Sequence, residues 1–168
     1  MNHFETLKVY GRSPVVAVLN PLLVVTVFLL ITLVSPTWAA LGDNEQSVQR
    51  DAVRMRATSR VVVQSTSYTV HEIQAASGYT VREYVSPGGS VFAVSWSGPG
   101  GLDLQSLLGA YFDDFRQNVA ARSFPAQRPL RLNIPSLVFE QSGHMRAIRG
   151  RAYVPRLLPA TVDPNEIQ

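Results

Sequence analysis

The sequence predicts an α+β fold, in which an antiparallel sheet of about five strands carries one amphipathic helix packed on it. Two observations predict this fold. Segments rich in Val, Ile, Thr and Tyr alternate with short turns that contain Gly, Pro and Ser, which is typical of antiparallel strands. One segment between them repeats its apolar residues with the spacing of a helix face. The expected order is a three-strand meander, the helix and then a hairpin.

The first element is a helix over residues 42–57. Asp43 or Asn44 is suited to cap its N-terminus, because both side chains accept hydrogen bonds from free backbone N–H groups. Val48 and Ala52 are four residues apart, the spacing of one helix face. The remaining faces are polar, so this helix is expected to pack through one narrow stripe.

A three-strand meander follows a short β-branched run at residues 61–63. Residues 68–73 (YTVHEI) and 79–84 (YTVREY) flank the turn signal AASG, and residues 90–97 (SVFAVSWS) return after a Pro-Gly turn. The likeness of YTVHEI to YTVREY has two interpretations, a duplicated binding site or the two arms of one hairpin. Their offset equals one strand plus one turn, which favours the hairpin.

The amphipathic helix is predicted over residues 103–119. Asp103 follows a Gly-Pro-Gly-Gly reversal and is placed to cap the helix N-terminus. The apolar stripe needs a sheet to cover, so the helix is expected to lie on one sheet face. Residues at i, i+3, i+4, i+7, i+8 and i+11 form this stripe: Leu104, Leu107, Leu108, Tyr111, Phe112 and Phe115.

The C-terminal part is predicted to contain a connection, a hairpin and a tail. Residues 120–135 are rich in Arg and Pro, which indicates an extended connection. Residues 136–141 and 145–154 are β-rich and flank a Ser-Gly turn signal at 142–143. The polar, proline-containing tail from about residue 156 is expected to be loosely ordered.

Residues 1–40 have the pattern of a secretory signal peptide: a charged start, an apolar middle and a small-residue end. The alternative is a membrane anchor formed by residues 14–34, which carry no charge and are just long enough to span a bilayer. Asn20-Pro21 interrupts that stretch and favours cleavage. In either case residues 41–168 are expected to form a single domain outside the cytoplasm, periplasmic or secreted after signal-peptide cleavage.

Composition excludes several classes of activity. The chain has no Cys and one Lys, Lys8, so the mature part has no P-loop lysine, Schiff-base lysine or Cys nucleophile. No pair of residues has metal-ligand spacing, and neither a metal nor a cofactor is expected. Two histidines follow residue 40: His71 is expected to pair across strands near Arg82 or a carboxylate, and His144 lies at the tip of the last hairpin. A small periplasmic hydrolase using His144 or His71 with a serine is the alternative to a non-enzymatic binding module.

Positive charge accumulates toward the C-terminus. Residues 41–115 hold 5 Arg and 8 acidic residues, whereas residues 116–168 hold 8 Arg and 3 acidic residues. The use of Arg alone has two explanations, a coding bias or the recognition of anions by guanidinium groups. Strand alternation places Arg149 and Arg151 together on a solvent face. The expected partner is another envelope protein or an anionic envelope surface rather than a nucleic acid. The candidate binding residues are Arg146, Arg149, Arg151 and His144.

Several phrases of the mature chain resemble a family of small exported bacterial proteins, the domain of unknown function DUF2844. They are ALGDN, SYTVHEIQAASGYTVREYVSPGGSVFAVSWSGP, LLGAYF and SGHMRAIRGRAYVPRLLP, and they cover essentially the whole mature chain. The resemblance implies export. It implies no activity, cofactor or site residue, because none is established for the family.

Overall fold

The computed structural model describes residues 41–121, 129–144 and 146–168. The predicted signal peptide, and the anchor that is its alternative, fall outside these residues. Within the described ranges, no helix is both long and apolar enough to cross a membrane.

One antiparallel sheet lies at the centre of the described chain. The α+β class is confirmed, but the sheet has seven strands rather than about five. Their order across the sheet is β1-β2-β3-β4-β7-β6-β5, so the last strand of the chain pairs with the last strand of the meander. The strands are β1 (Ser59–Gln64), β2 (Thr69–Gln74), β3 (Thr80–Val85), β4 (Val91–Gly98), β5 (Leu130–Ile134), β6 (Leu137–His144) and β7 (Ala147–Tyr153).

The two unpredicted strands are the two edges of the sheet. β1 contains the β-branched run at 61–63, but it is exposed on both faces and therefore lacks the alternation of a half-buried strand. β5 lies in the predicted extended connection, and Leu132 is its one buried residue. An edge strand has a neighbour on one side only, so it is held with little apolar burial of its own.

The predicted C-terminal hairpin is confirmed, but its turn was placed too early. β6 continues through Ser142 and Gly143 to His144, which pairs with Ala147 at the start of β7. Arg146 therefore lies in the turn.

Helices cover the first face of the sheet. The helix α1 (Glu45–Arg54) confirms the first predicted helix, with three residues fewer at each end. The single helix predicted over 103–119 is instead α2 (Leu104–Leu108), a 3-10 turn and α3 (Phe112–Ala120). The break falls at Gly109, whose φ of 52° is left-handed and is readily adopted by glycine.

The predicted cap and apolar stripe of these helices are largely confirmed. Asp103 Oδ1 accepts hydrogen bonds from the backbone N–H groups of Gln105 at 3.1 Å and Ser106 at 3.2 Å. Leu108 is fully buried, whereas Phe112 is only partly buried. Facing the stripe are inward residues of the central strands: Val81, Val94, Trp96, Phe139 and Ala152.

The second face of the sheet is covered in part by residues 155–168, here called the C-terminal segment. Its Val162 and Ile167 are buried in one cluster with Tyr84 and Phe92. Its polar, proline-containing sequence predicted a loosely ordered tail. The two buried apolar residues follow neither a helix nor a strand period, so no pattern in the sequence indicates that they pack on the sheet.

Candidate functional site

A line of charged and polar residues crosses the second face of the sheet. Each member is the register partner of the next, so the line runs across the strands. The charges alternate in sign, apart from one serine near the middle. This charged row consists, from β5 to β2, of Arg131, Glu140, Arg151, Ser95, Arg82 and Glu72.

The charged row contains two cross-strand ion pairs, one on each side of Ser95. Arg151 places Nε and Nη2 each 2.9 Å from Glu140 Oε2. Arg82 places Nε 2.8 Å from Glu72 Oε2. Both pairs are partly buried, so they are less screened by solvent than surface pairs.

The C-terminal segment crosses the middle of the charged row. The main-chain oxygen of Gln168 accepts hydrogen bonds from Arg82 Nη1 at 2.9 Å and from Ser95 Oγ at 2.8 Å. Arg151 Nη1 donates to the carbonyl of Pro164 at 2.6 Å. Arg82 and Arg151 are therefore already engaged by protein oxygens.

An open groove of about 540 Å³ lies beside the C-terminal segment, over β4, β7, β6 and β5. Ile167 of the C-terminal segment contributes apolar lining. Among the described residues, four arginines and one glutamate line the groove, so these charged side chains sum to a net positive charge. The arginines are Arg82, Arg131, Arg149 and Arg151.

The most exposed part of the groove presents hydrogen-bond donors in a row. Arg149 of β7 lies directly between its register partners, Ser97 of β4 and Ser142 of β6. Residues directly opposite on one sheet face have Cβ atoms about 4.5–5.5 Å apart, so one small anion is able to contact more than one of these side chains. A guanidinium and two hydroxyls together suit a carboxylate or phosphate oxygen. We call these three residues the donor trio.

Arg149 and Arg131 are the available cations of the groove. Both are exposed, and within the described residues neither forms an ion pair or a side-chain hydrogen bond. Arg131 belongs to the charged row, where Glu140 separates it from Arg151. Glu140 is already bonded to Arg151, so it does not pair with Arg131. The guanidinium groups of Arg131 and Arg149 therefore remain free to bind an added anion.

The structure brings together some of the predicted binding residues and separates others. Arg149 and Arg151 both line the groove, and they share the sheet face that strand alternation predicts. Arg149 is exposed as predicted, whereas Arg151 is partly buried because it bonds Glu140 and the C-terminal segment. His144 and Arg146 lie at the turn end of the β6–β7 hairpin and do not line it.

Arg156, another arginine of the basic C-terminal part, does not line the groove. Arg156 donates from Nη2 to the Tyr111 hydroxyl at 2.9 Å and lies over that ring, at 5.8 Å from its centroid. Arg122 and Arg128 fall outside the described residues. Ser97 and Ser142 were not among the predicted site residues, because their position beside Arg149 depends on which strands are neighbours in the sheet.

His71 lies on the first face, buried beneath α1. Its Nδ1 accepts a hydrogen bond from Arg60 Nη2 at 2.7 Å, and its Nε2 lies 3.3 Å from Glu45 Oε1. The predicted carboxylate neighbour is thus found, but the arginine is Arg60, since Arg82 projects from the opposite face. Burial, and then the charge of Arg60, lower the pKa of His71.

Two buried carboxyl groups, Glu83 and Asp51, lie near each other under α1. Glu83 is the register partner of His71 on β3, and Asp51 is on α1. Burial, and then the nearby Asp51, raise the pKa of Glu83 to about 8. Burial raises the pKa of Asp51 to about 7, although Arg54 at 3.3 Å opposes the shift. Neither oxygen of Glu83 has a hydrogen-bond partner among the described residues.

This buried cluster does not have the arrangement of a metal or triad site. Among residues 41–121, 129–144 and 146–168, no group of three His, Asp or Glu side chains is placed to hold a metal ion. Neither His71 nor His144 is hydrogen-bonded to a serine hydroxyl within those residues. The groove on the second face is therefore the better candidate site.

Comparison with known proteins identifies a family and no activity. The family model for DUF2844, described as a protein of unknown function, matches residues 37–167. No curated protein and no solved structure matches the chain.

Proposed function

The chain belongs to the DUF2844 family of proteins of unknown function, and from this starting point we propose that it is an exported envelope protein that binds an anionic group of a partner without catalysing a reaction. The observation that carries the proposal is the donor trio, in which Arg149 lies between Ser97 and Ser142 in an open groove.

Charge and hydrogen bonding both favour an anion in this groove. Arg149 is unpaired within the described residues, and a guanidinium binds carboxylate or phosphate oxygens through charge-assisted hydrogen bonds. Arg131 adds a second free cation at the same groove. A neutral or cationic ligand would leave these charges uncompensated.

Binding is favoured over catalysis by the residues that line the groove. Among the described residues that line it, the one carboxylate side chain is Glu140, which is bonded to Arg151 at 2.9 Å. General-base catalysis needs a group that is free to take a proton. The two histidines of the alternative hydrolase both lie outside the groove.

The partner that fits best is an acidic segment of another envelope protein. The donor trio lies in a groove rather than on a protruding surface, so an extended carboxylate side chain reaches it more readily than a flat bilayer does. An anionic envelope surface is the competing partner, and the vesicle measurement below distinguishes the two.

Export is part of the proposal and has its own test. Residues 1–40 carry the signal-peptide pattern, with small residues at the end. Mass spectrometry of the protein from the envelope fraction of expressing cells is expected to give an N-terminus near Ala40 or Leu41. A full-length chain recovered with the membranes would support the anchor instead.

Binding is tested by titrating the exported protein with a short peptide of consecutive glutamates. Arg149→Gln is expected to weaken binding about tenfold, since hydrogen bonds to charged groups contribute roughly 1.5–3 kcal/mol. Arg116→Gln is the matched control, because Arg116 is an exposed arginine on α3 that pairs with Asp113 away from the groove. Binding is also expected to weaken with added salt, because the site is open to solvent.

The vesicle measurement uses the same variants. The alternative result is that the protein binds anionic vesicles with higher affinity than the peptide, in a way that depends on Arg149. That result would make a lipid surface, rather than an acidic protein segment, the partner of the groove. If Arg149→Gln and Arg116→Gln bind both probes like the unmodified protein, the groove is not an anion site and the proposal is wrong.

A further inference from the structure

The edge strand β1 is unusually apolar for a strand that faces solvent. Val61, Val62 and Val63 are consecutive, and their exposed fractions are 51%, 49% and 55%. All six residues of β1 are exposed, whereas the central strands are mostly buried. Exposed edge strands with apolar residues readily pair with another strand, unless charges or prolines prevent it.

The hydrogen-bond phase of β1 shows which backbone groups are free. The N–H of Ser65 donates to the carbonyl of Tyr68 at 2.8 Å, which marks a hydrogen-bonded pair in the β1–β2 ladder. Because such pairs alternate along antiparallel strands, Val61 and Val63 direct their backbone groups toward β2. The N–H and C=O groups of Arg60, Val62 and Gln64 point away from the sheet.

These outward groups match a second copy of the same strand. If two copies of β1 meet antiparallel about a two-fold axis at Val62, the outward groups of each face those of the other. Arg60 then lies opposite Gln64, so no like charges meet. Val61 lies opposite Val63, and Val62 lies opposite itself, which gives three successive Val–Val pairs.

We propose that two copies of this chain associate through antiparallel pairing of β1 about Val62, which joins their sheets into one continuous sheet. A strand pair of this length buries less surface than the roughly 1,200 Å² of a standard stable interface. The dimer is therefore expected to be weak and concentration-dependent. The inference does not depend on the groove, which lies at the other half of the sheet.

The first test measures association of the exported protein by sedimentation equilibrium, from about ten micromolar to about one millimolar. Val62→Pro removes an outward N–H and no bond to β2, so it is expected to lower the association constant at least about tenfold while the domain stays folded. Val62→Thr is the matched control: it keeps the N–H and the branched shape, and its association constant is expected to stay within about threefold.

The second test does not depend on tolerance of proline. The chain has no cysteine, so Val62→Cys introduces a single thiol. Hydrogen-bonded antiparallel partners have Cα atoms about 5.5 Å apart, within the range of a disulfide, so oxidation is expected to give a cross-linked dimer rapidly. Val53→Cys on α1, where the valine is 69% exposed, is the control and is expected to cross-link much more slowly.

Three results would overturn the inference. One is a monomer over the whole concentration range. The second is a dimer that Val62→Pro leaves intact in a folded protein. The third is equal cross-linking of Val62→Cys and Val53→Cys, since random encounters do not distinguish the two exposed positions.

Discussion

Replacing Glu83 by glutamine is expected to stabilise the protein at neutral and alkaline pH. Glu83 is fully buried on β3, and burial and the nearby Asp51 raise its pKa from 4.5 to about 8. The folded state therefore binds more protons than the unfolded state between about pH 4.5 and pH 8. Stability from this group is complete below pH 4.5 and falls as the pH rises through that window.

The magnitude follows from the width of the window. One pKa unit corresponds to about 1.4 kcal/mol, so the cost of Glu83 at pH 7, some 2.5 units above its ordinary pKa, is on the order of 3 kcal/mol. The expected gain does not exceed this cost, for two reasons. Asp51 shares the effect through its own raised pKa, and a glutamine at position 83 still buries polar atoms that lack partners. A gain of about 2–3 kcal/mol at pH 7–8 is therefore expected for Glu83→Gln, with little change at pH 4.

Urea unfolding of both proteins across pH 4–8.5 measures this difference. His71 works in the opposite direction, since its lowered pKa costs stability as the pH falls through about 6.5, but it is present in both proteins. Asp113→Asn, at a carboxylate that is 74% exposed, is the control and is expected to change stability by no more than about 0.5 kcal/mol. A variant that is less stable than the unmodified protein at pH 8, or that has the same pH profile, would show that Glu83 is not a buried acid held protonated.

Three further substitutions test the packing around the sheet, each by urea unfolding. Leu108→Ala is expected to cost about 2–5 kcal/mol, because Leu108 is fully buried; a cost below about 0.5 kcal/mol would mean that the stripe is not core. Gly150→Ala is expected to destabilise by about 1–3 kcal/mol, because a Cβ there would clash with the Trp96 ring; an unchanged stability would contradict that close approach. Asp103→Ala is expected to cost about 1 kcal/mol through loss of the α2 cap, and Asp103→Asn should recover most of it.

Sequence patterns were sufficient for elements whose burial is one-sided and regular. The stripe from Leu104 to Phe115 predicted the position of a helix. It did not predict the break at Gly109, which depends on the left-handed φ of that residue. Alternation also placed Arg149 and Arg151 on one face correctly. β1 and β5 were missed because an edge strand does not have to alternate.

The neighbours in the candidate site could not be predicted in the same way. The donor trio exists because β7 pairs with β4, some fifty residues earlier in the chain, and this pairing leaves no local signal. His71 has the carboxylate neighbour that was one of its two predicted partners, but its arginine partner could not be predicted for the same reason. Arg60 reaches it from β1, a strand that the pattern did not predict.

Anion binding by the donor trio and Arg131 is measured residue by residue by NMR of the arginine side chains. The Nε–H signals of the exported protein would be followed while a short glutamate peptide is added at low salt. Anion binding in the groove predicts saturable shifts for Arg149 and Arg131, together with the backbone amides of Ser97 and Ser142, and none for Arg116 on α3. Shifts spread equally over all exposed arginines, or absent from Arg149, would contradict it.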